Sequence, residues 1–226
     1  MKPINTTLVH TVFGPRMPGP GPHPTIVFLH GMGADEEDLA GLHGALDGRF
    51  LFLSVRAPFP FAMSGGFTWY EFDGIGTPHP GTFRSSYDRL VGFLQDARRQ
   101  YPIDPARLVL FGFSMGTVMA HAVVLTHPGL VRGLVANSGY IPERSGLELH
   151  WDLLGDLDLL VTHGTEDPVI PVAMGRRTRE LYAASPARME YREYPMAHAI
   201  NQESLDDAAA WLTRLLDTHT IFPAHV

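Results

Sequence analysis

The sequence predicts an α/β fold: one domain with a mainly parallel, doubly wound sheet. Three observations carry this expectation. Short, continuous apolar runs recur along the chain, the pattern of strands buried on both faces. Helical periods lie between several of them, which implies right-handed crossovers. The chain has 226 residues, 45% of them hydrophobic and 18% charged, enough apolar surface for a single large core.

Taken in order, residues 7–13 alternate loosely and predict an edge strand. Gly14 to Pro24 is a proline- and glycine-rich connector, read as unable to join a sheet ladder, so 1–24 forms an N-terminal edge strand plus linker. Thr25-Ile26-Val27-Phe28-Leu29 is the first buried run, and similar runs follow at 49–55, 107–113, 130–136 and 157–163. Helical spacing appears at Leu39, Leu42 and Leu46, then from Phe83 through Tyr87, Leu90, Val91 and Leu94 to Tyr101, and again after Ser114. A last strand at 188–194 precedes Leu205, Ala208, Ala209, Leu212 and Leu216, spaced for one helix face. The stretch from 56 to 81 has no helical period and is rich in aromatics, among them Trp69 and Tyr70, which suits a substrate-site loop.

Composition excludes several chemistries. There is no cysteine, hence no disulfide, thiolate nucleophile or cysteine-held metal. Lys2 is the single lysine, which leaves a phosphate loop and a Schiff base without their amine. A formal net charge of −7 with scattered arginines argues against nucleic acid as a partner. No signal pattern or membrane-spanning run is visible, so a cytoplasmic location is expected. The histidines, 12 in all, include no pair at metal-ligand spacing, and neither a metal nor a cofactor is expected.

The chemistry is carried by residues just beyond strand ends, where ligands sit in such sheets. Gly112-Phe113-Ser114-Met115-Gly116 is a G-x-S-x-G on a strand–turn–helix, a turn sharp enough to lift a serine hydroxyl into the open. A serine needs a base and an orienting acid. Asp167, in Gly164-Thr165-Glu166-Asp167-Pro168, is the candidate acid, with Glu166 its local rival. His198, in Pro195-Met196-Ala197-His198-Ala199, is the candidate base, preferred over His121 and His163 because it follows both partners. Two backbone N–H groups suit the oxyanion: Met115, directly after the serine, and Met32, in His30-Gly31-Met32-Gly33 after the first buried strand. A dinucleotide loop is rejected there because Glu36 stands where glycine is required.

With these motifs in place, the chain resembles the phospholipase/carboxylesterase family of α/β-hydrolases, which includes small bacterial esterases and acyl-protein thioesterases. The resemblance runs from about Thr25 to the final helix. It implies a serine carboxylesterase acting on small to medium esters through an acyl-enzyme, with Ser114, Asp167 and His198 as the catalytic triad and Met32 and Met115 as oxyanion donors. A thioesterase or lysophospholipase with the same machinery is the alternative, and a non-catalytic small-molecule receptor the remote one. Thioesterase members usually carry glutamine after the nucleophile, where this chain has Met115, and aspartate directly after the oxyanion-loop glycine, where it has Ala34. Only about 20 residues separate 136 from 157, too few for a cap domain. The site wall is therefore expected from 56–81, with Trp69, Tyr70 and Tyr140 beside the acyl or alcohol group. The expected partner is a small ester; the oligomeric state is open, a homodimer among the options.

Overall fold

The computed structural model describes residues 1–219 apart from Pro18, Pro20 and Ser64. In chain order the strands are β1 (His10–Phe13), β2 (His23–Leu29), β3 (Leu51–Val55), β4 (Phe59–Phe61), β5 (Gly66–Thr68), β6 (Phe72–Gly74), β7 (Thr77–Pro78), β8 (Ile103–Phe113), β9 (Gly133–Asn137), β10 (Asp158–Gly164) and β11 (Arg188–Tyr194). The α-helices are α1 (Pro80–Gln100), α2 (Met115–Thr126), α3 (Val172–Ala183) and α4 (Gln202–His219). Seven strands form the main sheet in the order β1-β3-β2-β8-β9-β10-β11, with β1 antiparallel at one edge and every other pairing parallel. This is the mainly parallel α/β-hydrolase arrangement, and β8, which leads into Ser114, lies at its centre.

The continuous apolar runs are explained by a sheet covered on both faces, because alternate residues of one strand feed opposite layers. Val27 and Leu29 of β2 join α1 and α2 residues such as Leu90, Leu94, Val118 and Met119 in one core. Ile26 and Phe28 join Leu205, Trp211 and Leu212 of α4 in the other.

Three expectations need correction. The connector does reach the sheet: β2 begins at His23, which pairs with Ile103, and the register then shifts across Pro24, the residue with no N–H to give. The leucines at 39, 42 and 46 form only a 3-10 helix over Leu39–Gly44, since Gly41 and Gly44 each weigh against an α-helix by about 1 kcal/mol. Helix α3 gave no apolar period because its buried side is Gly175, Thr178 and Tyr182, small and polar groups around one aromatic. The 56–81 stretch is not a plain loop but two small antiparallel hairpins, β4–β5 and β6–β7, before α1 starts with Pro80 in its first turn. Between β9 and β10 there is a single 3-10 turn, Trp151–Leu153, and no cap.

Candidate active site

The elbow after β8 is a tightly constrained piece of backbone. Ser114 sits at φ 54°, ψ −120°, a left-handed conformation that an L-residue holds only when its surroundings impose it. Part of that restraint is backbone contact. A Cβ on Gly116 would lie 1.9 Å from the Leu29 carbonyl oxygen, and one on Gly112 would lie 2.6 Å from the Thr117 backbone. Only glycine lets α2 close onto β2 and β8 this tightly. The rest is hydrogen bonding from Asn137, at the end of β9. Its carbonyl accepts from the Ser114 N–H at 3.0 Å and from Thr117 Oγ1 at 2.8 Å. Its side-chain amide donates to the Gly112 carbonyl at 2.9 Å, while its Oδ1 accepts from Thr162 Oγ1 at 2.8 Å. One fully buried asparagine thus ties three neighbouring strands beneath the serine. The sequence reading missed it. An amide closing an otherwise apolar run, Gly133-Leu134-Val135-Ala136-Asn137, was the available signal.

Ser114, Asp167 and His198 meet at the carboxyl ends of β8, β10 and β11. His198 Nε2 lies 2.9 Å from Ser114 Oγ, and His198 Nδ1 lies 2.7 Å from Asp167 Oδ2. The other Asp167 oxygen, Oδ1, accepts from the N–H groups of Val169 and Ile170, both at 2.8 Å, so the side chain is fully buried yet satisfied. With Nδ1–H donated to the carboxylate, Nε2 is left as the basic nitrogen facing the hydroxyl. Glu166 is exposed and its carboxylate has no part in this chain of contacts.

The rival histidines are occupied elsewhere. His121 is buried inside α2 against the Tyr182 hydroxyl at 3.0 Å, and burial lowers its pKa to about 3. His163 donates from Nε2 to the Ile170 carbonyl at 2.8 Å and is kept neutral by burial. Its Nε2 lies 3.6 Å from Asp167 Oδ2, the oxygen that His198 holds at 2.7 Å, and it has no contact with Ser114 among the described hydrogen bonds.

Among the described residues the Met32 and Met115 backbone N–H groups have no hydrogen-bond partner, and both residues line the cavity beside Ser114. The Met32 loop is held from several sides. His30 Nε2 accepts from the Ala57 N–H at 3.0 Å, and its Nδ1–H donates to the Gly31 carbonyl at 2.6 Å. Gly33 N–H donates to the Phe67 carbonyl and Phe67 N–H to the Ala34 carbonyl, both at 2.8 Å, an antiparallel bridge from loop to β5.

Tyr70 and Tyr140 line a narrow cavity of about 60 Å³ beside Ser114, together with Met32, Phe72, Ile75 and Val169. The two tyrosine hydroxyls meet at 3.2 Å and close its floor. Met32, Phe72, Ile75 and Val169 form a rim of large apolar side chains, each more than 40% exposed. Trp69 is not in this wall. It is 0% exposed, packed in the core, and its indole N–H donates to the His30 carbonyl at 2.9 Å. Trp69 stands just past the end of β5, in a bend, with its ring in the core, while Tyr70 lines the cleft. Trp69→Ala should therefore destabilise the fold by about 3–5 kcal/mol and lower turnover of small and bulky esters alike. Chemical denaturation beside an ester series checks this; loss confined to bulky esters would return Trp69 to the pocket.

A larger cavity, about 490 Å³, lies at the opposite end of the sheet and is lined by ion pairs such as Arg188–Asp158 and Arg214–Glu190. Its lining holds no serine or histidine. Among the described residues no group of three or more histidine, aspartate or glutamate side chains could hold a metal, and no helix is long and apolar enough to cross a membrane.

The phospholipase/carboxylesterase family model matches residues 16–216. The chain belongs to that family. Relatives in it include acyl-protein thioesterase 1 of Candida albicans, 24% identical over 85% of this chain and 92% of its own, and acyl-protein thioesterase 1 of Mycosarcoma maydis, 27% identical over 91% and 96%. Among solved structures, the Bacillus cereus carboxylesterase is 22% identical and covers 93% of this chain and 96% of its own, with a TM-score of 0.81. Like other members of the phospholipase/carboxylesterase family, the protein is a hydrolase of the ester-cleaving type.

Proposed function

We propose that this phospholipase/carboxylesterase family member is a serine carboxylesterase for small to medium carboxylic esters, working through an acyl-enzyme and without a cofactor. The observation that carries the reading is the unbroken chain Ser114 Oγ, His198, Asp167 at 2.9 Å and 2.7 Å. Ser114 attacks the ester carbonyl carbon while His198 Nε2 takes its proton. Asp167 holds the ring and stabilises the imidazolium that forms. The Met32 and Met115 N–H groups receive the developing oxyanion, a contribution worth about 3 kcal/mol per donor in comparable sites. His198 then returns the proton to the departing alcohol, and water, activated by the same nitrogen, releases the acid. Nothing in this cycle requires a partner molecule other than the ester and water.

The cleft supports the acyl size. A cavity of about 60 Å³ has room for a short chain, since one water takes about 30 Å³ in the liquid. A neighbouring cavity of about 420 Å³, sharing Met32, Tyr70 and Phe72, extends that room for medium chains. A thioester reading uses the same residues and is favoured by the acyl-protein thioesterase relatives.

Intact-mass spectrometry after treatment with a fluorophosphonate tests the assignment, with a single adduct expected on Ser114. Turnover of p-nitrophenyl esters from acetate to palmitate, measured beside acyl thioesters of matching length, then ranks the two readings. Esters of short to medium chains should lead; faster thioester cleavage would favour the second reading. Neither adduct nor turnover would overturn both and leave a non-catalytic receptor of this fold.

A further inference from the structure

Two cavities flank the Ser114–His198 pair. The acyl slot lies on the serine side. Beyond His198, a groove of about 310 Å³ runs between Leu39, Leu42, Phe113 and Ile200, with Ala199 in its wall. Its one charged member besides the histidine is Asp38. Among the described residues its carboxylate forms no ion pair, and Asp35 adds a like charge nearby. Partial burial, opposed by His30 and reinforced by Asp35, raises its pKa, while burial keeps His30 itself neutral. Asp38 is exposed at the edge of these apolar side chains, where a ligand cation in the groove can pair with it.

The position of the groove fits one half of the substrate. His198 packs on Phe113 with ring centroids 4.9 Å apart, so the reacting imidazole forms the boundary between slot and groove. With the acyl group on the serine side, the departing oxygen must come within hydrogen-bond reach of His198 Nε2, and the remainder of the leaving group extends past that ring. We propose that the groove is the leaving-group subsite, built for an alcohol with an apolar, benzyl-sized body and a cationic group that meets Asp38. The proposal rests on the serine carboxylesterase reading. In acylation Ser114 Oγ bonds to the carbonyl carbon, the bond from that carbon to the alcohol oxygen breaks, and the proton taken from Ser114 passes from His198 to that oxygen. The neutral hydroxyl product leaves through the groove.

The test compares 4-(aminomethyl)benzyl acetate with 4-methylbenzyl acetate. Both form the same acetyl-enzyme, so their difference in kcat/KM reports the leaving group alone. Wild type should prefer the cationic ester about threefold to fivefold, the range of a half-exposed ion pair, and Asp38→Asn should abolish that preference. Ala199→Trp, which fills the groove, should lower kcat/KM for both benzyl esters about tenfold while the ratio of methyl hexanoate to methyl acetate keeps its wild-type value. No cationic preference, or one that survives Asp38→Asn, overturns the role of Asp38. A shift of the methyl-ester ratio in Ala199→Trp would assign the groove to the acyl chain and overturn the subsite. Absence of any ester turnover together with absence of a fluorophosphonate adduct would instead remove the serine reading on which the subsite depends.

Discussion

Ser114→Ala is expected to lower kcat for ester hydrolysis by about 10⁴-fold or more, with little change in thermal stability. The size follows from the arrangement of the three side chains. Without the hydroxyl, His198 has no proton to take and no acyl-enzyme can form, so only the oxyanion site and substrate positioning remain to act on water. His198→Ala should be comparably severe. The double variant should be hardly worse than either single one, because serine and histidine act as one unit. Kinetics on the two single variants and the double variant check this directly. Additive losses would mean that the 2.9 Å contact between Ser114 and His198 is not the reacting one.

The second large effect is structural. Gly116→Ala is expected to destabilise the protein by about 3 kcal/mol or more and to abolish activity even in molecules that fold. The added methyl would stand 1.9 Å from the Leu29 carbonyl oxygen and 2.8 Å from that of His30, both backbone atoms that cannot swing aside. Relief would require α2 to move off β2. That displacement would shift the Met115 N–H relative to the Met32 N–H, and in the proposed mechanism the two point at one oxygen. Thermal denaturation together with the rate of fluorophosphonate labelling separates the two losses. A stable, fully reactive Gly116→Ala would show that the elbow has slack the packing denies.

How much of this was legible in the sequence depends on whether a residue's role leaves a local pattern. The parallel strands were readable because burial on two faces gives continuous apolar runs, as in Ile26-Val27-Phe28-Leu29. Ser114 and Asp167 stand just beyond continuous apolar runs, whereas the strand ahead of His198, Arg188–Tyr194, carries four charged residues, so the histidine was picked out by its order in the chain. The place of Trp69 was not readable. Its segment has no periodicity, and it stands in a bend just past the three-residue strand β5, where no alternation announces which way a ring turns. Asn137 and Thr162 were missed for the opposite reason. Their importance lies in contacts between residues 25 positions apart, which no local window contains. The groove beyond His198 draws on three separate segments, around Leu39, Phe113 and Ile200, and exists only once the sheet has assembled.

The bridge between Ala34 and Phe67 has a consequence for how this scaffold can change. The hairpin that helps shape the cleft wall and the loop that carries the Met32 N–H are laced together by two backbone bonds of 2.8 Å. In the proposed mechanism, a variant that opens the wall for a different acyl group also drags on one of the two donors assigned to the oxyanion. Breadth of substrate range and speed are thereby placed on a single lever. Directed evolution of this protein would have to reinforce the bridge before, or together with, enlarging the cleft.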